Sequence, residues 1–177
     1  MTWRRAAVYW AVFLGLSTYY VVALRESPQP LAHLTRAAFL DLAADRVEAL
    51  EVRRAGSVVR CRRVDGRWQV SEPTGRPVSA DLIEALVANL TQLPDVEVVA
   101  ENSDALGEFG LQTPQSEIIL QSAGQAAVSV RLGAQNPAGT AVYAQRDGSP
   151  RVFLIGLNVR YYEDLLFEAL SQKVADR

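Results

Sequence analysis

The sequence predicts an α+β fold in which a single N-terminal transmembrane helix precedes a largely antiparallel sheet with two covering helices. The chain has 177 residues, enough for one domain and an appendage. One uncharged N-terminal stretch concentrates apolar residues, and the remainder shows short strand-like runs around two-residue turns with only two clear amphipathic helical patterns. Runs of strands with few helices, rather than strict alternation, indicate α+β architecture.

The uncharged stretch covers residues 6–24 and has the sequence AAVYWAVFLGLSTYYVVAL. As a helix it would span about 28 Å, close to the roughly 30 Å hydrocarbon core of a bilayer. Arg4 and Arg5 precede it, so a signal peptide is the alternative, but the run exceeds the usual length of about 7–15 residues. The positive-inside rule then predicts an inner-membrane protein with its N-terminus in the cytoplasm and its C-terminal domain in the periplasm.

Small residues recur along this predicted helix at every fourth position. Such a stripe allows a second transmembrane helix to approach closely, although an Ala-rich chain also produces it by chance. The expected partner is therefore an integral membrane protein complex. The candidate helix-packing residues are Ala7, Ala11 and Gly15.

Composition shifts divide the chain into five predicted segments. The segment after the membrane helix contains the stiff SPQP linker and then a helix-like apolar spacing over 31–44. The predicted segments are a cytoplasmic N-terminus over 1–5, the transmembrane helix over 6–24, a linker and juxtamembrane helix over 25–45, the exported α+β domain over 46–171 and a C-terminal tail over 172–177.

Two sets of strands make up the predicted sheet. In the first set, the dipeptides Ala55-Gly56 and Asp65-Gly66 are hairpin turns that separate strands over 47–54, 57–64 and 67–70. Each set is followed by a helix, an order that suggests a ββα-type pseudo-repeat. The remaining predicted strands cover 96–99, 117–121, 127–132, 141–146 and 152–155.

Each predicted helix has a capping residue and an apolar face. Ser79 is the N-cap of the first helix, whose apolar face consists of Leu82, Leu86 and Leu90. Asn158 is the N-cap of the second helix, whose predicted apolar face consists of Tyr161, Leu165, Leu166 and Ala169.

The composition excludes several classes of chemistry. One cysteine and one histidine leave no intrachain disulfide and no Cys-cluster or multi-His metal site, and a net charge of −2 disfavours nucleic-acid binding. Strand alternation places Cys61 on the apolar Val59 side, so we expect it to be buried rather than reactive. Glu163, Asp164 and Glu168 suggest carboxylate chemistry, but Asp164 and Glu168 lie four residues apart on the polar face of a predicted helix, which is the usual solvated arrangement. We therefore expect no enzyme, and no catalytic, cofactor-binding or metal-binding residues are assigned.

The first strand set contains six arginines in the 15-residue stretch from position 53 to position 67. Because neighbouring strands bring several of them onto one sheet face, they predict a local positive patch in an acidic molecule. An anionic lipid, an acidic glycan or an acidic protein would fit it, and a solvated face balanced by nearby glutamates is the alternative. The candidate partner-binding residues are Arg53, Arg60, Arg62 and Arg67.

An ordered set of short motifs resembles the domain-of-unknown-function family 4340 over about residues 45 to 170. These motifs are VDGRWQV at 64–70 with EP at 72–73, GEFGL at 107–111 with Pro114, LG at 132–133, Pro137, Tyr143 and VFL at 152–154. The sequence departs from the family in being a single short copy and in having Phe109 where Tyr is common. The family is found in bacterial envelope proteins, often encoded beside gliding-type ABC transporter components, and has no established catalytic residues.

The resemblance implies an anchored, non-catalytic accessory domain that faces the periplasm. Together with the residue patterns it predicts an accessory or scaffold subunit of an envelope membrane complex, with ABC transporter components as candidate partners. The alternative is a tethered periplasmic domain that binds an anionic lipid or glycan.

Overall fold

In the computed structural model of the chain, the described residues are 3, 10, 12–19, 36–37, 39–93, 96–102 and 104–171. The chain separates into two compact units, Met1–Leu34 and Thr35–Arg177. In the first unit, residues 12–19 are helical, and most of their apolar side chains are exposed. The rings of Trp10 and Phe13 meet edge to face in this unit, with 5.9 Å between their centroids.

The described residues of the second unit form one nine-stranded sheet, two α-helices and a short 3₁₀ helix at Ala44–Arg46. The strands are β1 (Arg36–Ala37), β2 (Val47–Arg54), β3 (Ser57–Val64), β4 (Arg67–Glu72), β5 (Val96–Ala100), β6 (Ser116–Ser122), β7 (Val128–Gln135), β8 (Ala141–Arg146) and β9 (Val152–Gly156). The helices are α1 (Ala80–Thr91) and α2 (Asn158–Ser171).

The strand order across the sheet is β1-β5-β9-β8-β7-β6-β2-β3-β4. Every ladder between these strands is antiparallel, as expected for this part of the fold. The pairing of β2 with β6 joins the meander β2–β4 to the meander β6–β9. The first meander has three strands and the second has four, so the two halves of the suggested ββα-type pseudo-repeat differ in strand number.

The two predicted hairpin turns in the first meander have the backbone geometry that their sequences favour. Ala55 and Gly56 have φ of 47° and 80°, and Asp65 and Gly66 have φ of 49° and 76°. Positive φ at both central residues is typical of the type I′ turn, whose twist matches that of the flanking strands. These turns set the β2–β3 and β3–β4 registers.

The core lies between one face of the sheet and the two helices. Helix α1 contributes Ile83, Leu86, Val87 and Leu90, all fully buried, and it contacts α2 and β4. On β2 the buried Leu50 and Val52 alternate with Glu51 and Arg53. The opposite face of β2, β3, β4 and β6 is called the open face below.

The predicted transmembrane helix over residues 6–24 is wrong. No helix in the described part of the chain is long and apolar enough to cross a membrane. Of the predicted packing residues, Ala7 and Ala11 lie outside the described residues, and Gly15 is exposed with no atom within 4 Å of its Cβ position.

Two smaller predictions also need correction. In place of the juxtamembrane helix over 31–44, the described residues form β1 and then irregular backbone before the 3₁₀ helix. The buried Phe39 and Leu40 belong to the core, and Phe39 packs edge to face on Phe153, with 5.2 Å between ring centroids. The buried face of α2 also differs from the predicted one. Tyr161 was predicted to belong to it but is exposed.

Candidate functional site

The four predicted partner-binding arginines all belong to the first meander. Arg53, Arg60 and Arg62 alternate with buried residues of β2 and β3, which places them on the open face. Arg67 precedes the buried Trp68 at the start of β4 and follows the same alternation. The structure therefore brings these arginines onto one face, beside three glutamates.

Two of these arginines are held by carboxylates. Arg53 Nε lies 2.6 Å from Glu51 Oε1, and Arg60 Nε lies 2.9 Å from Glu51 Oε2. Arg60 also pairs with Glu72, and Arg53 Nη1 lies 3.1 Å from Glu117 Oε2. The network links four strands across the open face, and its glutamates offset most of the predicted positive field.

Hydrogen bonding in this network changes the acidity of its central carboxylate. The bond from Arg60, with a further bond from Arg53, holds the pKa of Glu51 below its usual value, against the opposing effect of partial burial. The same contacts raise the pKa of both arginines. Because the two arginine side chains are about half exposed, salt screens these pairs.

Arg62 and Arg67 are exposed and form no ion pair with any residue that the structure describes. Arg62 lies opposite Ala49 of β2 and opposite Gln69 of β4 in the hydrogen-bond register. The small Ala49 side chain helps to form a shallow hollow of about 180 Å³, lined also by Ile119.

The other two arginines of the predicted cluster lie on the helix face. Arg63 Nη2 donates to Glu84 Oε2 at 2.6 Å, and Trp68 Nε1 donates to the same oxygen at 2.7 Å. Trp68 is buried and anchors β4 in the core. Arg54 pairs with Asp164 on α2. These contacts attach both helices to the meander.

A buried ion-pair cluster that the sequence did not predict lies under α2. Glu163 is fully buried, and its Oε2 accepts a hydrogen bond of 3.0 Å from Ser116 Oγ. Arg160 Nη1 lies 3.5 Å from Glu163 Oε2, and Arg54 Nη1 lies 3.8 Å from Glu163 Oε1. Burial raises the pKa of Glu163, and the two arginines oppose this shift. The cluster holds α2 on the sheet.

Glu163 was not predicted to be buried. It lies four residues after Val159 and three before Leu166, both buried, so its position belongs to the inward stripe of the helix. Placing the apolar face on Tyr161 and Leu165 concealed this pattern. The helical spacing from Val159 to Leu166 is the signal that could have identified the buried carboxylate.

Cys61 is buried, as predicted, and burial raises the pKa of its thiol to about 12. A thiol with this pKa is protonated at neutral pH and is a poor nucleophile. Within the described residues, no group of three or more His, Cys, Asp or Glu side chains is placed to hold a metal ion.

A family model described as "Domain of unknown function (DUF4340)" matches residues 68–174, which is 107 of the 177 residues. The chain belongs to this family. No curated protein and no solved structure matches the chain. The DUF4340 match begins in β4 and extends beyond α2, so β2, β3 and all four open-face arginines precede it.

The motifs that resemble DUF4340 have structural roles in this chain. The Phe109 carbonyl oxygen occupies the space beside Gly133 in which a side chain would lie. A Cβ added to Gly133 would be 2.2 Å from this oxygen. The N–H of Ala134 donates to that oxygen at 2.9 Å. Phe109 packs edge to face on Tyr143, with centroids 4.9 Å apart, and Gly110 adopts a φ of 66°. The GEFGL segment is thus fastened to the sheet, in turns rather than a helix.

Proposed function

We propose that this DUF4340 protein is a non-catalytic accessory subunit that binds an acidic partner protein through its open face. The observation that supports the proposal is the pair of exposed arginines, Arg62 and Arg67, which have no acidic partner among the described residues. Charged groups at an interface speed association and exclude partners of like charge. Arg53 and Arg60 are already held by carboxylates, so they form an ordered polar surface beside Arg62 and Arg67.

A protein partner fits this face better than an anionic lipid or glycan. Four arginines lie there with Glu51, Glu72 and Glu117, which leaves a net charge of +1. Anionic membranes attract dense clusters of basic residues, with each contributing about 1 kcal/mol. The mixed charges and the half-buried Ile119 are instead typical of a protein interface, where polar groups surround apolar contacts.

The proposed setting is a complex of the bacterial cell envelope, with ABC transporter components as candidate partners. The family resemblance supports this setting. Its test is independent of the arginines: the full chain with a C-terminal epitope is expressed in its own host, and cytoplasmic, membrane and periplasmic fractions are compared. Recovery with the cytoplasmic marker alone would contradict an envelope location without bearing on the open face.

The binding proposal is tested by capture from native extracts with the full chain. We expect a protein retained by the wild type to be lost with Arg62→Glu combined with Arg67→Glu. Each single substitution is tested as well, and Arg46→Glu is the control with the same charge change as either one, since Arg46 is exposed on the 3₁₀ helix, outside the four strands of the open face. Equal capture by every variant, or loss with the control, would overturn the proposal.

Vesicle binding separates the lipid alternative. The full chain and its Arg62→Glu variant are sedimented with vesicles of phosphatidylglycerol and phosphatidylcholine, or of phosphatidylcholine alone. We expect the wild type and the Arg62→Glu variant to bind phosphatidylglycerol-containing vesicles to the same extent. A salt-sensitive loss of anionic-vesicle binding in that variant would favour a lipid ligand instead.

A further inference from the structure

Strand β4 forms one edge of the nine-stranded sheet, and the two-residue β1 forms the other. One side of β4 pairs with β3, and no strand in the described part of the chain pairs with its other side. An edge strand has unpaired backbone donors and acceptors that can accept a further strand. The β4 edge is the longer of the two.

The hairpin register indicates which backbone groups are unpaired. In a two-residue hairpin the flanking residues, here Val64 and Arg67, exchange backbone hydrogen bonds, and the next pair does not. The N–H and C=O of Trp68 therefore point to the free side of the sheet. Alternation gives Val70 the same direction.

The side chains beside this edge define the chemistry of a complementary strand. On the open face, the edge carries Arg67 and Gln69, with Arg62 directly behind Gln69 in the register. On the helix face, Val70 is half-buried and packs against the core. A strand added here would place one set of side chains near two guanidinium groups and the alternate set beside Val70.

The end of β4 limits the length of such an addition. The register shifts between Arg60 and Cys61, which leaves Ser71 out of the regular ladder. Ser71 Oγ donates to the Arg60 carbonyl oxygen at 3.1 Å, and Pro73 has no N–H to offer. The regular edge thus covers residues 67–70, which suits a short strand and disfavours open-ended sheet growth.

We infer that β4 accepts a short extended segment of the partner protein as a tenth strand. The carboxylates of that segment face Arg67 and Arg62, and its alternate apolar side chains contact Val70. Main-chain hydrogen bonds to Trp68 and Val70 supply the affinity, and the arginines select acidic sequences. The inference rests on the proposed function and specifies the partner's conformation and charge pattern.

The test uses the full chain, labelled for amide hydrogen exchange, and peptides of about seven residues. One peptide alternates valine with glutamate, a second alternates valine with lysine, and a third is the glutamate peptide with a central proline. We expect only the first to slow exchange at the Trp68 and Val70 amides, by about ten-fold at saturation. Arg62→Glu combined with Arg67→Glu should transfer this protection to the lysine peptide, and an unchanged amide spectrum elsewhere would verify the fold of this variant.

The outcomes separate the inference from the proposed function. If the glutamate peptide shifts signals around Arg62 without protecting the Trp68 and Val70 amides, strand addition is wrong and open-face binding stands. Equal protection by the proline-containing peptide also overturns strand addition. If no peptide binds, strand addition fails, and the capture experiment with Arg62→Glu and Arg67→Glu decides the proposed function alone.

Discussion

Arg160 on α2 donates a hydrogen bond from Nη2 to the carbonyl oxygen of Gly133 on β7, at 3.1 Å. The same glycine accommodates the Phe109 carbonyl oxygen where a side chain would lie. One residue therefore joins the terminal helix, the middle of the sheet and the GEFGL segment. This convergence explains why the family motifs around positions 107–111 and 132–133 have packing roles.

Gly133→Ala should destabilise the protein by about 3 kcal/mol, because the added Cβ meets backbone rather than a movable side chain. Gly156→Ala is the matched control, since no atom lies within 4 Å of its Cβ position. Urea unfolding of both variants measures the difference. Equal stability of the two variants would show that the GEFGL segment is not fixed against β7.

Ala55→Asn should stabilise the protein by about 1 kcal/mol, because alanine is strained at positive φ and Asn-Gly is favoured in type I′ turns. The residue has a φ of 47°. Ala126→Asn, at an exposed loop residue that is not among those with positive φ, is the control and should have little effect. Thermal unfolding would contradict the assigned turn if both substitutions gave the same change in Tm.

Local sequence signals are sufficient to predict the β2–β4 meander. The Ala55-Gly56 and Asp65-Gly66 dipeptides determine both turns, and the strand alternation identifies Trp68 and Cys61 as inward-facing. These features depend on residues near one another in the chain. The β2–β3 and β3–β4 pairings follow from them without knowledge of the rest of the sheet.

The electrostatic state of the open face could not be predicted in this way. Arg53 finds Glu117, which is 64 residues away, only because β2 pairs with β6. Likewise, the burial of Glu163 depends on Ser116, 47 residues earlier. Composition predicts the number of arginines on a face, but long-range strand pairing decides which of them are neutralised.

Glu163→Gln should become more stable relative to the wild type as the pH rises from about 4 to about 7. Burial raises the pKa of Glu163 above its unfolded value, so its protonated form stabilises the fold below the unfolded pKa. That contribution is lost as the pH rises through the folded pKa, and the glutamine variant has no such loss. Urea unfolding across this range measures the difference, with Glu168→Gln, an exposed carboxylate on the same helix, as the control.

Glu51→Gln should show the opposite dependence on pH. Its folded pKa is depressed, chiefly by the hydrogen bond from Arg60, so its contribution is present above the unfolded pKa and is lost as the pH falls through the folded pKa. The wild type should therefore lose stability on acidification relative to the variant, more so at low salt. A salt-independent difference between the two would contradict the role given to the open-face network.

Cys61 should react with a thiol reagent at neutral pH only when the protein opens. Its side chain is 1% exposed, and its pKa of about 12 leaves very little thiolate even where reagent has access. Under conditions in which opening is in rapid equilibrium, the labelling rate follows the population of the open form. Gly133→Ala should therefore accelerate labelling by about 150-fold, the factor that corresponds to its expected loss of about 3 kcal/mol if opening is global. Rapid labelling of the wild type, unaffected by Gly133→Ala, would place Cys61 at the surface and contradict the packing of β3 against the core.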